Sequence, residues 1–282
     1  GERNPAATHL HGRMRVPIHV AGGGPAGLLT ALMLARNPEL DVVVHERATT
    51  PDSWTSRSFT INLVDCGQAA LARAGVLELV REAGMEREHL ERHHADGTVD
   101  VISWPGISHT RPTIAAALRS ALLSEGLARI EYGSAIEAVQ PAADGVGLKC
   151  VLSDGSVVYS SHVVGCDGKW SRVRDSVAAT AGWEPTLESA PSWGVLIHAE
   201  ELPGWAHPRR SHSFEPDRAY AGSTLGILIP RPDNSGGALG MLALFEPVLE
   251  LEPALTPPDS PMGEVCAWPH GLAAGAGAHD AY

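Results

Sequence analysis

The sequence predicts an α/β chain in two parts, a parallel sheet with an adjoining β-hairpin and then a second, mainly antiparallel sheet. Three observations carry that prediction. In "RVPIHVAGGGPAGLLTALMLAR" (15–36) an apolar strand, a glycine-rich turn and an apolar helix follow one another. "LDVVVHE" (40–46) is rich in valine and polar only toward its ends, as a parallel strand covered on both faces would be. Beyond residue 182, "SWGVLIHAE", "STLGILIP" and "GALGMLALF" alternate with loops rich in Pro, Gly and Asp.

The elements follow in order. The strand over 15–22 leads into a helix over 25–36, which Asn37-Pro38 stops because the residue before proline avoids the α region. After the valine-rich strand comes a Ser, Thr and Pro loop over 48–58. Helical patterns over 67–74 and 76–83 flank Gly75. A strand over 98–104 and a helix over 112–125 come next. Residues 129–140 and 146–152 read as antiparallel strands, and Asp154-Gly155 turns the chain back into "SVVYSSHVVGCDG" as a hairpin. Residues 251–282 lack periodicity and are expected to form an irregular tail. The expected division is a discontinuous first domain over 1–75 and 105–182 and a second over 76–104 and 183–250. No internal repeat is visible.

The chain has 282 residues, a net charge of −12 and 44% hydrophobic residues. Without a basic block to release counterions, no nucleic-acid or anionic-membrane surface is expected. Lysine occurs only at Lys149 and Lys169, so arginine carries the positive charge. Cys66, Cys150, Cys166 and Cys266 stand far apart, which fits small buried apolar residues in a reduced, cytoplasmic setting. No run of 18 apolar residues suggests a membrane span, and the first 16 residues lack the apolar stretch of a secretory signal.

Gly22, Gly24 and Gly27 form G-x-G-x-x-G between a strand and a helix. The first glycine permits the tight turn, the second lets backbone approach a pyrophosphate, and the third lets helix and strand pack closely. The helix start at Pro25-Ala26 then offers free N–H groups and a partial positive charge to phosphate. Glu46 closes the second strand 19 residues after Gly27, where a carboxylate accepts hydrogen bonds from a ribose. This predicts a Rossmann-like dinucleotide site, with spacing alone leaving FAD and NAD both open.

Four segments resemble the flavin-dependent aromatic hydroxylases, single-component monooxygenases that use FAD and NAD(P)H. "GGGPAG" is similar to their first motif, and Glu46-Arg47 fits its adenosine-ribose end. "RSFTINLVDCGQAALARAGV" (57–76), opening on Arg57, resembles the signature of the kynurenine 3-monooxygenase type, with Phe59-Thr60 inserted. "TRPTIAAAL" (110–118) is similar to a helix start whose arginine reaches the FAD, here Arg111. "VVGCDGKWSRVR" (163–174) matches a further motif at Gly165, Asp167, Gly168, Ser171, Val173 and Arg174.

The resemblance implies an FAD-binding domain with a β-sheet substrate domain. Its FAD contacts would come from Gly22, Gly24, Pro25, Ala26, Gly27, Glu46, Arg47, Arg57, Arg111, Asp167 and Gly168. NAD(P)H would be the reductant, with O2 and a small aromatic molecule as substrates. For Asp167, ligand contact and capping of the helix after Ser171 both stay open. The family's later G-D-A-A-H motif is not found, so the chain is expected to be a truncated hydroxylase without the wall for the flavin ring. The alternatives are a non-catalytic FAD- or ADP-binding remnant, or a reductase or epoxidase of the same fold acting on a prenyl lipid. The polar second half speaks against the lipid.

Arg87 and Arg92 are available to meet a substrate carboxylate but match no motif. His89 and His93 in "REHLERHH" lie four apart, the spacing of two imidazoles on one helix face. No third ligand stands at a recognisable spacing, so a solvated polar helix or loop is expected there and no metal. Trp193, Trp205 and Phe214 are expected to pack in the core of the second domain.

Overall fold

The computed structural model describes residues 16–51, 60–126, 128–184, 192–214, 224–231, 237–245 and 278–281. They fall into two compact units. The first draws on Gly1–Ser58, Gln68–Val80 and Arg111–Thr186, the second on Phe59–Gly67, Arg81–Thr110 and Leu187–Tyr282.

The first unit is built on four parallel strands: β1 (Val16–Ala21), β2 (Leu40–Glu46), β6 (Ala128–Tyr132) and β10 (His162–Gly165), in the order β10-β1-β2-β6. Val20, Val42 and Val44 are wholly buried, which explains the unbroken valine run. Helix α1 (Pro25–Ala35) packs on β1 and β2 and against α4 (Arg111–Ser124). The buried Leu28, Ala31 and Leu32 of α1, with Ile114, Leu118 and Leu122 of α4, contribute to the core. Each such large side chain removed from water contributes roughly 1.5–3 kcal/mol.

Beside the sheet lies a three-stranded meander, β7 (Ile136–Pro141), β8 (Leu148–Leu152) and β9 (Val157–Ser160), with α5 (Arg172–Ala181) packed on β7 and β10. Ala21, Ile136, Val139, Cys150, Leu152 and Val173 form its core. The turn at Asp154-Gly155 forms as expected, with Gly155 at φ +80° and its N–H donating to the Leu152 carbonyl.

Two expected strands are each split in two. Residues 129–140 break at Gly133, which sits at φ +66° and donates to the Ala48 carbonyl while Ser134 N–H donates to Glu46. The first half leaves the meander and pairs in parallel with β2 as β6. "SVVYSSHVV" likewise divides at Ser161, whose N–H and hydroxyl both donate to the Pro17 carbonyl at 3.0 and 2.7 Å. Its second half becomes β10, parallel to β1.

The second unit is an eight-stranded sheet in the order β15-β11-β14-β13-β12-β4-β5-β3. Its strands are β3 (Thr60–Leu63), β4 (Met85–His93), β5 (Val99–Thr110), β11 (Ser192–Ala199), β12 (Arg210–Phe214), β13 (Thr224–Pro230), β14 (Ala238–Phe245) and β15 (Ala278–Ala281). All neighbours are antiparallel except β12 and β4. The short helices α2 (Asp65–Arg73) and α3 (Leu77–Glu82), which lie mostly in the first unit, complete the described elements, with Gly75 at φ +68° between them.

Several expectations change here. Residues 60–63, assigned to the first domain by sequence, pair with β5, which itself runs on to Thr110; the units divide at 58/59, 67/68, 80/81, 110/111 and 186/187. The polar segment 85–93 is a strand, because β5 and β12 supply backbone partners on its two edges and override its composition. In the tail, residues 278–281 form β15 against β11.

Arg87 is buried in a cradle of neutral acceptors. Its Nε donates to Ser108 Oγ at 2.9 Å, Nη1 to the Pro208 carbonyl at 3.0 Å and Nη2 to the Pro230 carbonyl. Burial, and then the nearby Arg209 charge, push its guanidinium down to about 10. It ties β4, β5 and β13 together. Cys150 is buried and Cys166 half-buried, but Cys66 is exposed on α2, against expectation, while Cys266 lies outside the described residues. No helix among the described residues is long and apolar enough to cross a membrane.

Candidate functional site

The carboxyl ends of all four parallel strands open on one cleft of about 500 Å³, within the usual range for a small-molecule site. Gly22 and Gly24 enter it after β1, Glu46 and Arg47 at the end of β2, and Ala135, Ile136 and Glu137 after β6. Cys166, Asp167, Gly168 and Trp170 follow β10. The strand order places β2 and β6 on one side of β1 and β10 on the other. That reversal is where ligands of open α/β sheets bind.

The backbone corners beyond β1 and β10 meet. Cys166 N–H donates to the Ala21 carbonyl at 2.8 Å, and Gly22 N–H to the His45 carbonyl at 2.8 Å. Gly22 sits at φ +98°, and a Cβ there would overlap the Cys166 carbonyl. A Cβ on Gly27 would overlap the Gly22 carbonyl, so close packing of turn and helix demands glycine at both positions. Gly24 is the N-cap of α1 in extended conformation, with Pro25 at the first helical position and no side-chain cap. The first-turn amides are left to an anion from outside.

Glu46 is buried, yet both of its carboxylate oxygens are partnered. Oε2 accepts from Gly23 N–H at 2.6 Å and Oε1 from Ala48 N–H at 2.8 Å. This locks the carboxylate at the cleft wall, and each oxygen keeps a lone pair for a further donor. Asp167 performs the capping role: Ser171 Oγ donates to Oδ1 at 2.6 Å, and the Arg172 and Val173 amides donate to Oδ2 at 2.7 and 3.2 Å. Ser171, the N-cap of α5, accepts from Arg174 N–H at 3.0 Å. Gly168 follows at φ +84° with open space around it.

Of the residues expected at the site, Gly22, Gly24, Glu46, Arg47, Arg111, Asp167 and Gly168 line the cleft together. Pro25, Ala26 and Gly27 form the start of α1 beside it and do not line it. Arg57 lies outside the described residues.

The sequence reading missed His45, Glu137, Cys166, Trp170, Arg172, Arg174 and Asp175 in the lining. Arg172 faces Glu137 at 3.5 Å, and Arg174 is tied to the Lys169 carbonyl and to Asp175. Arg47, Arg111, Arg172 and Arg174 give the cleft four guanidinium groups, suited to phosphate oxygens. Arg174 and Cys166 stood inside a matched motif and were legible by position. His45 was not: its Nε2 meets His19 Nδ1 on β1 at 2.7 Å and its Nδ1 meets Ser134 Oγ at 2.9 Å. Burial, and then the His19 and Arg129 charges, hold the His45 imidazole well below the ordinary histidine range, so it lines the cleft uncharged.

Comparison with known proteins agrees with this geometry. A family model described as an FAD binding domain matches residues 15–235. The chain is 27% identical over 228 residues to 3-(3-hydroxy-phenyl)propionate/3-hydroxycinnamic acid hydroxylase of Mycolicibacterium smegmatis, covering 77% of this chain and 39% of that protein. It is 24% identical over 166 residues to kynurenine 3-monooxygenase of Dictyostelium discoideum, covering 57% and 36%. The chain thus spans less than half the length of these curated relatives. The tetrameric form of 2-methyl-3-hydroxypyridine-5-carboxylic acid oxygenase shares the fold, with a TM-score of 0.67 at 22% identity over 82% of this chain and 59% of that one. Glycine corners, capped acid and matched model lead to one conclusion: the chain belongs to the FAD-binding-domain family of the flavin-dependent aromatic hydroxylases.

Proposed function

We propose that this chain forms the adenine-dinucleotide half of a single-component monooxygenase that binds FAD, takes reducing equivalents from NAD(P)H and hydroxylates a small aromatic molecule with O2. The observation that carries it is the meeting of the Gly22 and Cys166 corners on one arginine-bearing cleft. In this reading the uncapped α1 amides of Ala26 and Gly27 hold the diphosphate and Glu46 accepts from the ribose. Arg47 and Arg111 neutralise phosphate, while Gly22, Gly24, Pro25 and Gly168 let backbone approach. Asp167 acts through the α5 cap, and Arg57 joins this set on the resemblance alone.

The residues fit the group: a Cβ-free corner, an unfilled helix N-terminus and a fixed carboxylate are what a dinucleotide requires. Bound FAD would supply the electron transfer and oxygen activation; the residues of this chain would hold and orient its adenosine-diphosphate part. Both curated relatives are named as enzymes acting on aromatic compounds, which supports an aromatic substrate class. The narrower kynurenine-type reading rests on residues 57–76 and on one of these relatives.

The experiment is FAD titration of the purified chain, followed by NAD(P)H oxidation with a panel of hydroxylated aromatic acids. Stoichiometric FAD uptake is expected, and substrate-stimulated NAD(P)H consumption would eliminate the non-catalytic remnant. FAD uptake with no consumption would favour the non-catalytic remnant instead, and failure to take up FAD would end the proposal.

A further inference from the structure

In the second unit the parallel pairing of β4 and β12 brings together side chains far apart in sequence. Register places His212 opposite Glu91 and Phe214 opposite His93, so Glu91, His93 and His212 share one face. His93 Nε2 lies 3.2 Å from His212 Nδ1, His212 Nδ1 lies 3.3 Å from Glu91 Oε2, and His93 Nε2 lies 3.8 Å from Glu91 Oε2. Ligands about 2.1 Å from a tetrahedral ion stand roughly 3.4 Å from one another.

We infer that Glu91, His93 and His212 bind one divalent transition-metal ion of the zinc type, leaving a fourth position for water. Two imidazoles and a carboxylate are a donor set such ions favour. Hydrogen bonding alone serves the triangle poorly. A proton on His212 Nδ1 meets either Glu91 or His93 well but not both, and one cation satisfies all three lone pairs. His212 is wholly buried and its Nε2 has no partner, so the ring meets other side chains through Nδ1.

The surroundings fix these donors. Arg210 Nη1 donates to Glu91 Oε1 at 2.6 Å, which orients the carboxylate and leaves Oε2 for the ion. The His93 ring stacks on Phe214 at 4.9 Å, and Trp205 stands edge-on to His93 and His212 at 5.3 and 5.2 Å. The charges of Arg210 and Arg87 oppose a cation here, so the ion is held more loosely than in a closed structural site. His89, four residues before His93, is not in the cluster; no metal was expected here from sequence, and the second imidazole comes from a strand more than a hundred residues away.

Cobalt is the probe, because its visible bands report coordination number. The full chain with FAD present is titrated with Co2+, following those bands and Trp205 emission, and Zn2+ is then added as competitor. One equivalent of Co2+ is expected to give tetrahedral-type absorption, to quench Trp205 and to be displaced by Zn2+. Glu91→Gln and His93→Gln should each weaken uptake at least tenfold while FAD binding in the other unit stays unchanged. Trp205→Phe should keep the bands and lose the quenching. The proposal is overturned if Glu91→Gln and His93→Gln bind Co2+ as the parent does, which would place the ion on other histidines, or if the parent takes up none. Both substitutions fall on partly exposed side chains, so the test does not require a variant of buried His212 to fold.

Discussion

Arg87 aside, the two units treat their buried polar groups in opposite ways. In the first, Glu46 has a backbone N–H on each oxygen, Asp167 is engaged by the start of α5, and His19 and His45 partner each other. In the second, Asn62, His109 and His212 all carry buried side-chain atoms without a partner; among the described residues no such atom occurs in the first unit. A site made from backbone corners is complete once the chain has turned. A site made from side chains on neighbouring strands keeps valences open.

The largest effect should follow from filling a corner. Gly22→Ala places a Cβ on the Cys166 carbonyl at a residue with φ +98°. It should cost about 3 kcal/mol or more and abolish FAD binding. Urea melts together with FAD titration check this. An alanine variant with parental stability and affinity would show that the two corners do not meet.

The second unit offers its own test through acid. His109 is wholly buried, both of its ring nitrogens lack partners, and burial pushes it down to about 4. The unfolded chain protonates this histidine near 6.5, so between pH 6.5 and about 4 the unfolded state holds one proton more. Stability is then full above pH 6.5 and falls toward pH 4 by about 3 kcal/mol from this residue, with no further loss below. His109→Leu should remove that slope and leave a more acid-stable protein, since an apolar replacement ends an unsatisfied polar burial. Urea melts at pH 7, 6, 5 and 4.5 decide it, and parallel curves for variant and parent would refute the assignment.

These two tests also mark what was legible beforehand. Gly22 and Gly27 announced the cleft because a strand, a tight turn and a helix are local, and a local turn shows in adjacent letters. For Asp167 the sequence left capping and ligand contact open, and the Arg172 and Val173 amides establish the capping bond that adjacent letters could not. Residues 129–140 misled because one apolar pattern served two sheets; the break depends on Gly133 adopting φ +66° against the Ala48 loop. Segment 85–93 misled further. Its polar residues gave no sign of β12, and the His93–His212 pairing arises from a register set across 119 residues.

Glu46 tests how far a backbone-built site depends on its one buried acid. Glu46→Gln keeps the shape but has a single carbonyl oxygen for two amide donors, those of Gly23 and Ala48. FAD affinity should fall roughly tenfold, equivalent to about 1.4 kcal/mol, with the corner itself intact.

The smallest effect belongs to Asp167, and it separates capping from ligand contact. Asp167→Asn keeps an acceptor for the α5 amides but removes the charge at the helix N-terminus, which should lower stability by about 1 kcal/mol. If the aspartate acts only through the cap, FAD affinity changes by no more than twofold and high salt narrows the stability gap. A loss of FAD affinity of tenfold or more, beyond what the melt accounts for, would place the carboxylate against the dinucleotide itself. The cleft would then rest on a side chain at both of its corners, and the contrast between the units would narrow to the open valences of the second sheet.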